Sequence, residues 1–359
     1  MLSFLWISLL VISQTEALKI GAFNIQTLGR TKYGKEEVMV YIDLILRRYD
    51  IVLVQEIRDA AGNVIPGIRN RLASNGEEWE VVYSERLGRN SYKEQYAFYY
   101  RPDKITVESS YQYDDGVDDG TDAFSREPFG ILVNSDITGG LKKFGILGVH
   151  IAPNEAVEEL NALVDVFTAA KENWGVDDVM IMGDFNADCT YVSDEEKEQL
   201  DLRTDNSYLW LIGDDVDTTV SSTDCAYDRI VLTGDLLKAA AITSSAQEWR
   251  FDNVFNVNAT MTKAVSDHYP VEVNIASDIF HLLPESNSTD GNTTDSGMST
   301  TMELTSVTTT SILGSSISDP LTSSHTTTDR NSAVRSTGSV SWKLAVYFLL
   351  SNILAVSSL

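Results

Sequence analysis

Apolar and polar positions along the chain follow two different periods, which predict strands and helices. Stretches that are continuously apolar, or that alternate and are rich in β-branched residues, predict strands over residues 18–25, 50–55, 81–83, 96–100, 144–149, 178–182, 227–232 and 269–275. Apolar side chains spaced three and four residues apart predict a helix over residues 35–48. Residues 154–174 predict a second helix, capped at Asn154. This mixture predicts a single α/β domain over residues 18–280.

Chemically useful side chains recur where the predicted strands end: Asn24, Glu56, His150, Asp184, Asp228, Asp267 and His268. Because α/β enzymes place their chemistry at strand ends, this recurrence predicts one site where the ends converge. The chain has four histidines, and two of them lie in a low-complexity tail, so His150 and His268 are the candidates in the domain. Taken singly, each residue is more simply read as a turn, a cap or satisfied core.

These residue types suit hydrolysis of a phosphodiester. The reaction needs a base to activate water, an acid to protonate the leaving oxygen, and positive charge on the phosphate. We expect His268 to be the base and His150 the acid. Mg²⁺, or Mn²⁺, would be held by carboxylate and amide oxygens, and Asn186 would donate to the developing negative charge. The expected metal ligands are Glu56, Asn24 and Asp184.

Both ends of the chain carry targeting patterns. Residues 2–12 are apolar and precede small residues, which predicts a signal peptide removed after Ala17; a buried N-terminal helix is the alternative. Residues 281–335 are rich in Ser and Thr and predict a disordered, glycosylated stalk. Glycosylation sequons begin at Asn258, Asn287 and Asn292.

The C-terminal residues 336–359 end in an apolar run without a basic tail. Small residues beginning at Asn331 precede this run, an order typical of a glycosylphosphatidylinositol (GPI) signal with attachment at Asn331. A short transmembrane tail is the alternative, but the run is below the ~20 residues that a span needs. We therefore expect an extracellular protein anchored to the cell surface.

Charge and cysteine content restrict the interpretation further. Residues 18–280 contain 24 basic and 46 acidic side chains, a net charge of −22, which excludes binding of polyanions through a bulk positive field. A nucleic acid would need a local basic patch and divalent cations. The two cysteines, Cys189 and Cys225, predict a disulfide in a secreted chain, with a metal site as the alternative.

Several motifs together resemble the deoxyribonuclease I family across residues 18–276. They include Phe23-Asn-Ile25, Val54-Gln-Glu-Ile-Arg-Asp59, Leu87-Gly-Arg-Asn-Ser-Tyr-Lys-Glu94, Tyr111-Gln-Tyr-Asp-Asp-Gly116, Phe124-Ser-Arg-Glu-Pro128, Met182-Gly-Asp-Phe-Asn-Ala-Asp-Cys189, Asp224-Cys-Ala-Tyr-Asp-Arg-Ile230 and Ser266-Asp-His-Tyr-Pro270. The resemblance implies a four-layered α/β sandwich with two central mixed sheets flanked by helices. It also implies cleavage of double-stranded DNA that depends on Mg²⁺ and Ca²⁺ and leaves 5′-phosphate ends.

The resemblance assigns a role to individual residues. It implies two acid–base pairs, His268 with Asp228 and His150 with Glu94, and makes Glu56 the main metal ligand. Asn24, Asp184, Asn186 and Asp267 would bind metal or the scissile phosphate. The DNA contacts would be Arg58 and Tyr92 in the minor groove, and Asn90 and Arg126 on the backbone. Structural Ca²⁺ would bind at Asp217, Thr219, Ser221 and Thr223, and at Asp115, Asp122 and Glu127; solvated acidic loops are the alternative.

The chain also departs from the pancreatic-type members of that family. Val117 and Gly120 stand where those members have a small disulfide, and Gln26 replaces an arginine that contacts phosphate. Tyr83 and Phe129 alter the surface through which those members bind actin, so we expect no actin binding. The Ser/Thr-rich tail resembles a membrane-anchored branch of the family, and we expect a monomer.

Two other functions remain open at this level. The resemblance also implies the endonuclease–exonuclease–phosphatase superfamily, and the first alternative is another phosphoesterase of that superfamily, acting on sphingomyelin, inositol phosphates or abasic sites. The second is a catalytically silent surface protein that uses the fold for adhesion. Arg58 and Tyr92 argue against the first, because the resemblance places them in the DNA minor groove. The complete set of acid–base residues and Glu56 argues against the second.

Overall fold

The computed structural model describes residues 17–117, 122–138 and 140–276. The chain divides into two units, Met1–Ser288 and Thr289–Leu359, and all described residues lie in the first. The predicted signal peptide up to residue 16, the stalk, the C-terminal signal, Asn287, Asn292 and Asn331 lie outside the described residues. In the part of the chain that is described, no helix has the length and apolar character needed to cross a membrane.

The described residues form two six-stranded sheets with helices beside them. The strands are β1 (Ala17–Leu28), β2 (Ile51–Ile57), β3 (Glu80–Tyr83), β4 (Gln95–Tyr100), β5 (Thr106–Gln112), β6 (Phe129–Asn134), β7 (Lys143–His150), β8 (Val179–Asp184), β9 (Leu209–Trp210), β10 (Asp228–Thr233), β11 (Ala241–Glu248) and β12 (Val271–Ala276). The helices are α1 (Arg30–Tyr33), α2 (Glu36–Leu46), α3 (Val64–Leu72), α4 (Ala156–Trp174), α5 (Asp194–Lys197), α6 (Asp201–Thr204), α7 (Asp235–Ala240), α8 (Phe251–Phe255) and α9 (Ala259–Val265).

Each sheet has a parallel pair at its centre and antiparallel strands on both sides. The first sheet has the order β11-β12-β1-β2-β4-β3, with β1 and β2 parallel. The second has the order β5-β6-β7-β8-β10-β9, with β7 and β8 parallel. The carboxyl ends of a central pair therefore lie at the same edge as the amino ends of its antiparallel neighbours. This geometry brings residues from distant parts of the chain to one edge of each sheet.

Alternation along the strands separates the apolar side chains into three core layers. Leu18 and Ile20 of β1 pack with Ile146 and Met180 of the second sheet, so these side chains fill the space between the sheets. Phe23 of β1 faces the other way, into a cluster with residues of α2, α3 and α9. A third cluster joins the second sheet to α4. These layers confirm the predicted four-layered α/β sandwich.

Some local predictions were wrong. The α4 helix begins at Ala156 after a 3₁₀ turn over Pro153–Glu155, and its N-cap is Glu155, so Asn154 does not cap it. Asn24 lies inside β1, which continues to Leu28 after its pairing with β2 shifts. Periodicity missed the strands β5, β6, β9 and β11 and all of the helices named above except α2 and α4. The edge strands β5 and β11 are largely exposed and polar, so they lack the apolar pattern of a buried strand.

The predicted disulfide between Cys189 and Cys225 is present. It joins the segment after β8 to the segment before β10, across 36 positions of sequence. A loop of this length corresponds to about 4 kcal/mol of stabilisation in the chain-entropy model. Because both segments lead directly to predicted site residues, the disulfide also limits the motion of one side of that site.

Candidate active site

The site lies where the two sheet edges described above face each other. His150 and Asp184 are the last residues of the parallel strands β7 and β8, and they pair in register. Asp228 begins the antiparallel strand β10, directly opposite Asp184. Glu94 immediately precedes β4, and His268 lies three residues before β12, in the other sheet. The fold therefore brings together all four residues of the predicted acid–base pairs.

His150 and Glu94 form the first predicted pair. The Nδ1 atom of His150 lies 2.8 Å from Oε2 of Glu94, and both side chains are buried. Burial opposes ionisation of Glu94, but the hydrogen bond with His150 and the charges of His150 and Arg126 outweigh it and lower the carboxyl pKa. An ionised Glu94 fixes the proton of His150 on Nδ1 when the ring is neutral, which leaves Nε2 free to exchange a proton.

His268 and Asp228 form the second pair, with Nδ1 and Oδ2 2.7 Å apart. Burial opposes the charged ring of His268, but the carboxylates of Asp228, Asp184 and Asp267 outweigh it and raise the pKa to about 10. Burial also raises the pKa of the Asp228 carboxyl. The carboxylates around His268 therefore make its Nε2 atom a strong acceptor of protons.

The two pairs converge on a single carboxylate oxygen. Oδ2 of Asp184 lies 3.5 Å from Nε2 of His150 and 3.6 Å from Nε2 of His268. The Asn24 amide donates to the same oxygen at 3.0 Å. Two imidazoles that present the same nitrogen toward one point can serve opposite sides of a reacting group, one accepting a proton and the other donating one.

The donor set fits a divalent cation. Within the described residues, one ligand atom each of Asp184, Asp228 and His268 lies within 4.8 Å of the other two. Oδ1 of Asp228 and Oδ1 of Asp267 are buried and make no hydrogen bond to any described residue. Because buried carboxylate oxygens are costly without a partner, this arrangement suits a divalent cation.

Two of the predicted metal ligands, Glu56 and Asp267, accept hydrogen bonds from neighbouring groups, and the backbone of Glu56 is strained. Glu56 has a positive φ of 56° at the irregularity near the end of β2, and its carboxylate accepts the N–H of Thr27 at 2.7 Å. Asp267 accepts a hydrogen bond from the Gln26 amide. Backbone strain of this kind in a residue other than glycine is found most often at functional sites. Glu56 lies outside the three-residue cluster described above.

Asn186, two residues beyond β8, is held in the left-handed region with φ 45°. Its backbone N–H donates to Oδ1 of Asp184 at 3.0 Å, and its side-chain amide donates to the carbonyl of Ile151 at 2.9 Å. The amide therefore anchors the segment after His150. This anchoring contact was not predicted from the sequence.

The predicted DNA-contact residues lie near the acid–base groups. The Arg58 guanidinium stacks 4.5 Å from the centroid of the Tyr92 ring, which is 69% exposed. Asn90 accepts the N–H of Tyr92 through its side chain. Nε of Arg126 donates to the carbonyl of His150 at 2.9 Å, and its Nη2 is buried without a hydrogen-bond partner among the described residues. The stack of Arg58 on Tyr92 offers a flat cationic and aromatic surface beside the site.

The first predicted calcium set is brought together. Oγ1 of Thr219 lies 2.8 Å from an Asp217 carboxylate oxygen and 2.8 Å from the Thr223 carbonyl oxygen, and the hydroxyls of Ser221 and Thr223 are in contact. Arg250 also approaches the Asp217 carboxylate, at 3.4 Å. This loop is directly attached to the site, because the N–H of Val220 donates to the carbonyl of Asp267 and Thr219 bridges to His268.

Two carboxylates of the second predicted calcium set, those of Asp115 and Asp122, are held by protein groups. Asp115 accepts the N–H groups of Ala123 and Phe124, both at 2.8 Å. Asp122 pairs with Arg89 at 3.1 Å, and the backbone carbonyl of Glu127 accepts the amide of Gln112. The loop therefore has its own internal contacts. Residues 118–121, which include Gly120, lie outside the described part of this loop.

Two hydroxyl residues that sequence reasoning overlooked hold the acid–base groups in place. Ser266 donates to the carbonyl of Asn24 at 2.6 Å and accepts the N–H of His268 at 3.1 Å. Thr218 accepts the N–H groups of Tyr227 and Asp228, both at 3.0 Å. Ser266 belongs to a motif that the sequence displayed, but nothing in the sequence indicates that Thr218 reaches Asp228.

The fold and this site define the broad class of the protein. The model of the Endonuclease/Exonuclease/phosphatase family matches residues 21–268, so the chain belongs to that family. A solved structure of the human Nocturnin catalytic domain with bound sulfate anion superimposes with a TM-score of 0.51 at 14% identity. That match covers 72% of this chain and 94% of the other, and it supports the fold alone.

Closer relatives define the particular family. Deoxyribonuclease-1 of Bos taurus is 46% identical over 264 residues, which cover 72% of this chain and 92% of that protein. Deoxyribonuclease-1 of Homo sapiens is 46% identical over 259 residues, again 72% of this chain and 92% of the relative. The chain therefore belongs to the deoxyribonuclease I family, as its motifs indicated.

Proposed function

We propose that this protein is a metal-dependent endonuclease that hydrolyses double-stranded DNA with little sequence specificity and leaves 5′-phosphate ends. The observation that carries the proposal is the convergence of two imidazole Nε2 atoms on Oδ2 of Asp184. Each imidazole is backed by its own carboxylate. The deoxyribonuclease-1 relatives support DNA as the substrate. All the site residues come from one chain, which is consistent with action as a monomer.

In this proposal the two histidines have opposite roles. Nε2 of His268 accepts a proton from the attacking water as the oxygen–phosphorus bond forms, and Asp228 stabilises the resulting imidazolium. Nε2–H of His150 donates a proton to the leaving 3′ oxygen as its bond to phosphorus breaks. Glu94 holds the His150 ring in the orientation that this donation needs.

The metal and the remaining polar groups complete the proposed chemistry. A divalent cation, Mg²⁺ or Mn²⁺, would supply positive charge to the phosphate oxygens and would offset the carboxylates that raise the pKa of His268. Asp184, Asp267, Asn24 and Glu56 would hold it. Asn186 would orient the phosphate.

The proposed DNA surface is local, because the domain as a whole is acidic. The stack of Arg58 on exposed Tyr92 is suited to the minor groove, where contacts report groove width more than base sequence. Asn90 and Arg126 would contact the phosphate backbone. Ca²⁺ at the loop of Asp217 to Thr223, and at the second loop, would stiffen the segments beside the site.

Nicking of supercoiled plasmid by the purified protein tests the function, with Mg²⁺ present and with Ca²⁺ added or chelated. We expect nicking that falls by at least ~100-fold in Glu56→Ala, because a metal ligand is lost. Glu196→Ala is the matched control, since Glu196 also accepts a backbone N–H, at 2.8 Å, but within the first turn of α5. We expect its activity to stay normal.

The opposite result would redirect the assignment. A folded wild-type protein that does not nick DNA, but hydrolyses sphingomyelin or inositol phosphates, would overturn the nuclease. Equal activity of Glu56→Ala and wild type would remove Glu56 from the metal site.

We also propose that the enzyme is secreted and held at the cell surface by a GPI anchor at Asn331. The terminal sequence signals support this location, and the Cys189–Cys225 disulfide is consistent with an oxidising compartment. Phosphatidylinositol-specific phospholipase C should release nuclease activity from intact cells. Activity that stays bound to cells after this treatment would contradict the anchor.

A further inference from the structure

Tyr96 makes an unusual pair of contacts across the space between the two sheets. It is the second residue of β4 and is 3% exposed, and its ring lies in the apolar layer between the sheets. Its hydroxyl accepts the backbone N–H of His150 at 2.8 Å and donates to the carbonyl of Arg126 at 3.5 Å. Burial raises the pKa of Tyr96, so the hydroxyl stays protonated. One side chain of the first sheet therefore holds two backbone groups beside the site.

These contacts add to the one that Glu94 makes. Glu94 and Tyr96 are two residues apart in an extended segment, so both side chains project to the same face. Glu94 holds Nδ1 of the His150 ring at 2.8 Å, while Tyr96 holds the backbone N–H of the same residue. His150 is thereby attached at two points, ring and main chain, to one strand of the opposite sheet.

Such attachment matters because His150 is the last residue of β7. The following segment is secured by side chains, with the Arg126 guanidinium on the His150 carbonyl and the Asn186 amide on the Ile151 carbonyl. Without the Tyr96 hydroxyl, the N–H of His150 loses its bonding partner in a buried place. Because the following residues stay anchored, the His150 N–H can regain an acceptor only through a small shift of this residue, and its ring shifts with it.

We infer that Tyr96 is a positioning residue that fixes His150, through its backbone N–H, at the distance from Asp184 at which the ring can donate its proton. The inference rests on the proposed function. Tyr96 itself does not touch the reacting atoms and transfers no proton. Its contribution is to keep the His150 ring within the narrow range of positions that proton transfer requires.

The same strand offers a matched control. Tyr99 is also fully buried, and its hydroxyl donates to the carbonyl of Ile65 in α3 at 3.1 Å. It projects to the opposite face of the sheet, into the layer of α2 and α3. Tyr96→Phe and Tyr99→Phe therefore each remove one buried hydroxyl from β4, but only the first removes a contact to the site.

Plasmid-nicking kinetics of the full-length variants, with Mg²⁺ and Ca²⁺, test the inference. We expect Tyr96→Phe to lower kcat by about 10- to 100-fold with KM changed less than about 2-fold, because the His150 ring is misplaced while the Arg58–Tyr92 surface proposed to hold DNA is intact. We expect Tyr99→Phe to keep kcat within about 2-fold of the wild-type value, even if its Tm falls as far as the Tm of Tyr96→Phe. Equal kcat for Tyr96→Phe and wild type would overturn the inference.

A double-mutant comparison separates positioning from general loosening of the fold. In a His150→Ala background, Tyr96→Phe should lower the residual kcat no further, because its effect acts through His150. A loss by the same factor in both backgrounds would overturn the inference.

Hydrogen exchange tests the contact without relying on activity. Peptides that cover His150 should exchange faster in Tyr96→Phe than in Tyr99→Phe, and equal exchange would contradict the contact. If wild type does not nick DNA, the proposed function fails, and the exchange result still decides whether Tyr96 holds His150.

Discussion

Replacing His268 with alanine should lower kcat for DNA cleavage by about 10²- to 10⁴-fold, the range typical for loss of a general acid–base group. The reason is geometric, since Nε2 of His268 lies 3.6 Å from the carboxylate oxygen on which both predicted pairs converge. The variant should remain folded but be less stable than wild type, because the ring lies outside the apolar core layers while its loss leaves the buried Asp228 carboxylate without its partner. Nicking rates measured beside the Tm of the variant check this expectation.

Tyr269→Phe is the control for that variant. Tyr269 follows His268 in the sequence, and the hydroxyl that this substitution removes donates to Asp252 at 3.0 Å. We expect the activity of this variant to stay within about 2-fold of wild type. Near-normal turnover by a folded His268→Ala protein would contradict the assignment of the base.

The pair of His268 with Asp228 should also make the stability of the metal-free protein depend on pH. The folded pKa of His268, about 10, lies above the ordinary value near 6.5, so its contribution to stability is complete below about pH 6.5. That contribution is lost as the pH rises through about 10. In Asp228→Asn this loss of stability should be smaller, because the substitution removes the carboxylate that is bonded to His268 and raises its pKa. Unfolding by denaturant in EDTA at pH 6.5 and pH 10 measures the difference.

Replacing Arg229 with methionine should lower the free energy of unfolding by about 3–5 kcal/mol, because several buried carbonyls lose their donor and each such loss costs about 1–3 kcal/mol. Arg229 is fully buried, pairs with Asp214 at 2.7 Å, and donates to the carbonyls of Ala226, Ile212 and Ala187. The loss leaves these groups without that donor and is a large share of the ~5–15 kcal/mol that stabilises a typical domain. Urea unfolding measures it.

Arg203→Met is the matched control, because Arg203 pairs with the same Asp214 oxygen at 2.6 Å and stacks on the same Trp210 ring as Arg229. Its side chain is 24% exposed, so solvent screens the pair and we expect a loss of at most about 1 kcal/mol. Equal losses in the two variants would show that burial of Arg229 adds nothing.

Arg229 also illustrates a limit of sequence reading. It stands in a quoted motif beside Asp228, where a charged residue within an apolar strand has no evident partner in the sequence. Its carbonyl acceptors belong to segments on both sides of the disulfide, and one of them, Ala187, lies 42 positions away. Only the folded chain shows that this arginine joins the segment after Asp184 to the segment before Asp228.

The sequence by itself determined the chemical groups of the site and their approximate local setting. His150, Asp184 and Asp228 fall at strand ends because apolar runs of a certain length form buried strands, and the polar residue that follows a run marks its end. The cysteine content predicted the disulfide, since two cysteines in a secreted chain have few other uses. The motifs identified the family.

Only the tertiary structure decided how those groups meet. His150 and Glu94 are 56 positions apart, and His268 and Asp228 are 40 apart. Their contact depends on which strands are parallel neighbours and which edges face each other. The hydrophobic pattern of the sequence likewise does not predict the contacts of Tyr96 and Thr218. This pattern indicates whether a residue is buried, but not which distant backbone group its side chain contacts. Strand pairing and sheet packing supply that information, and they exist only in the folded chain.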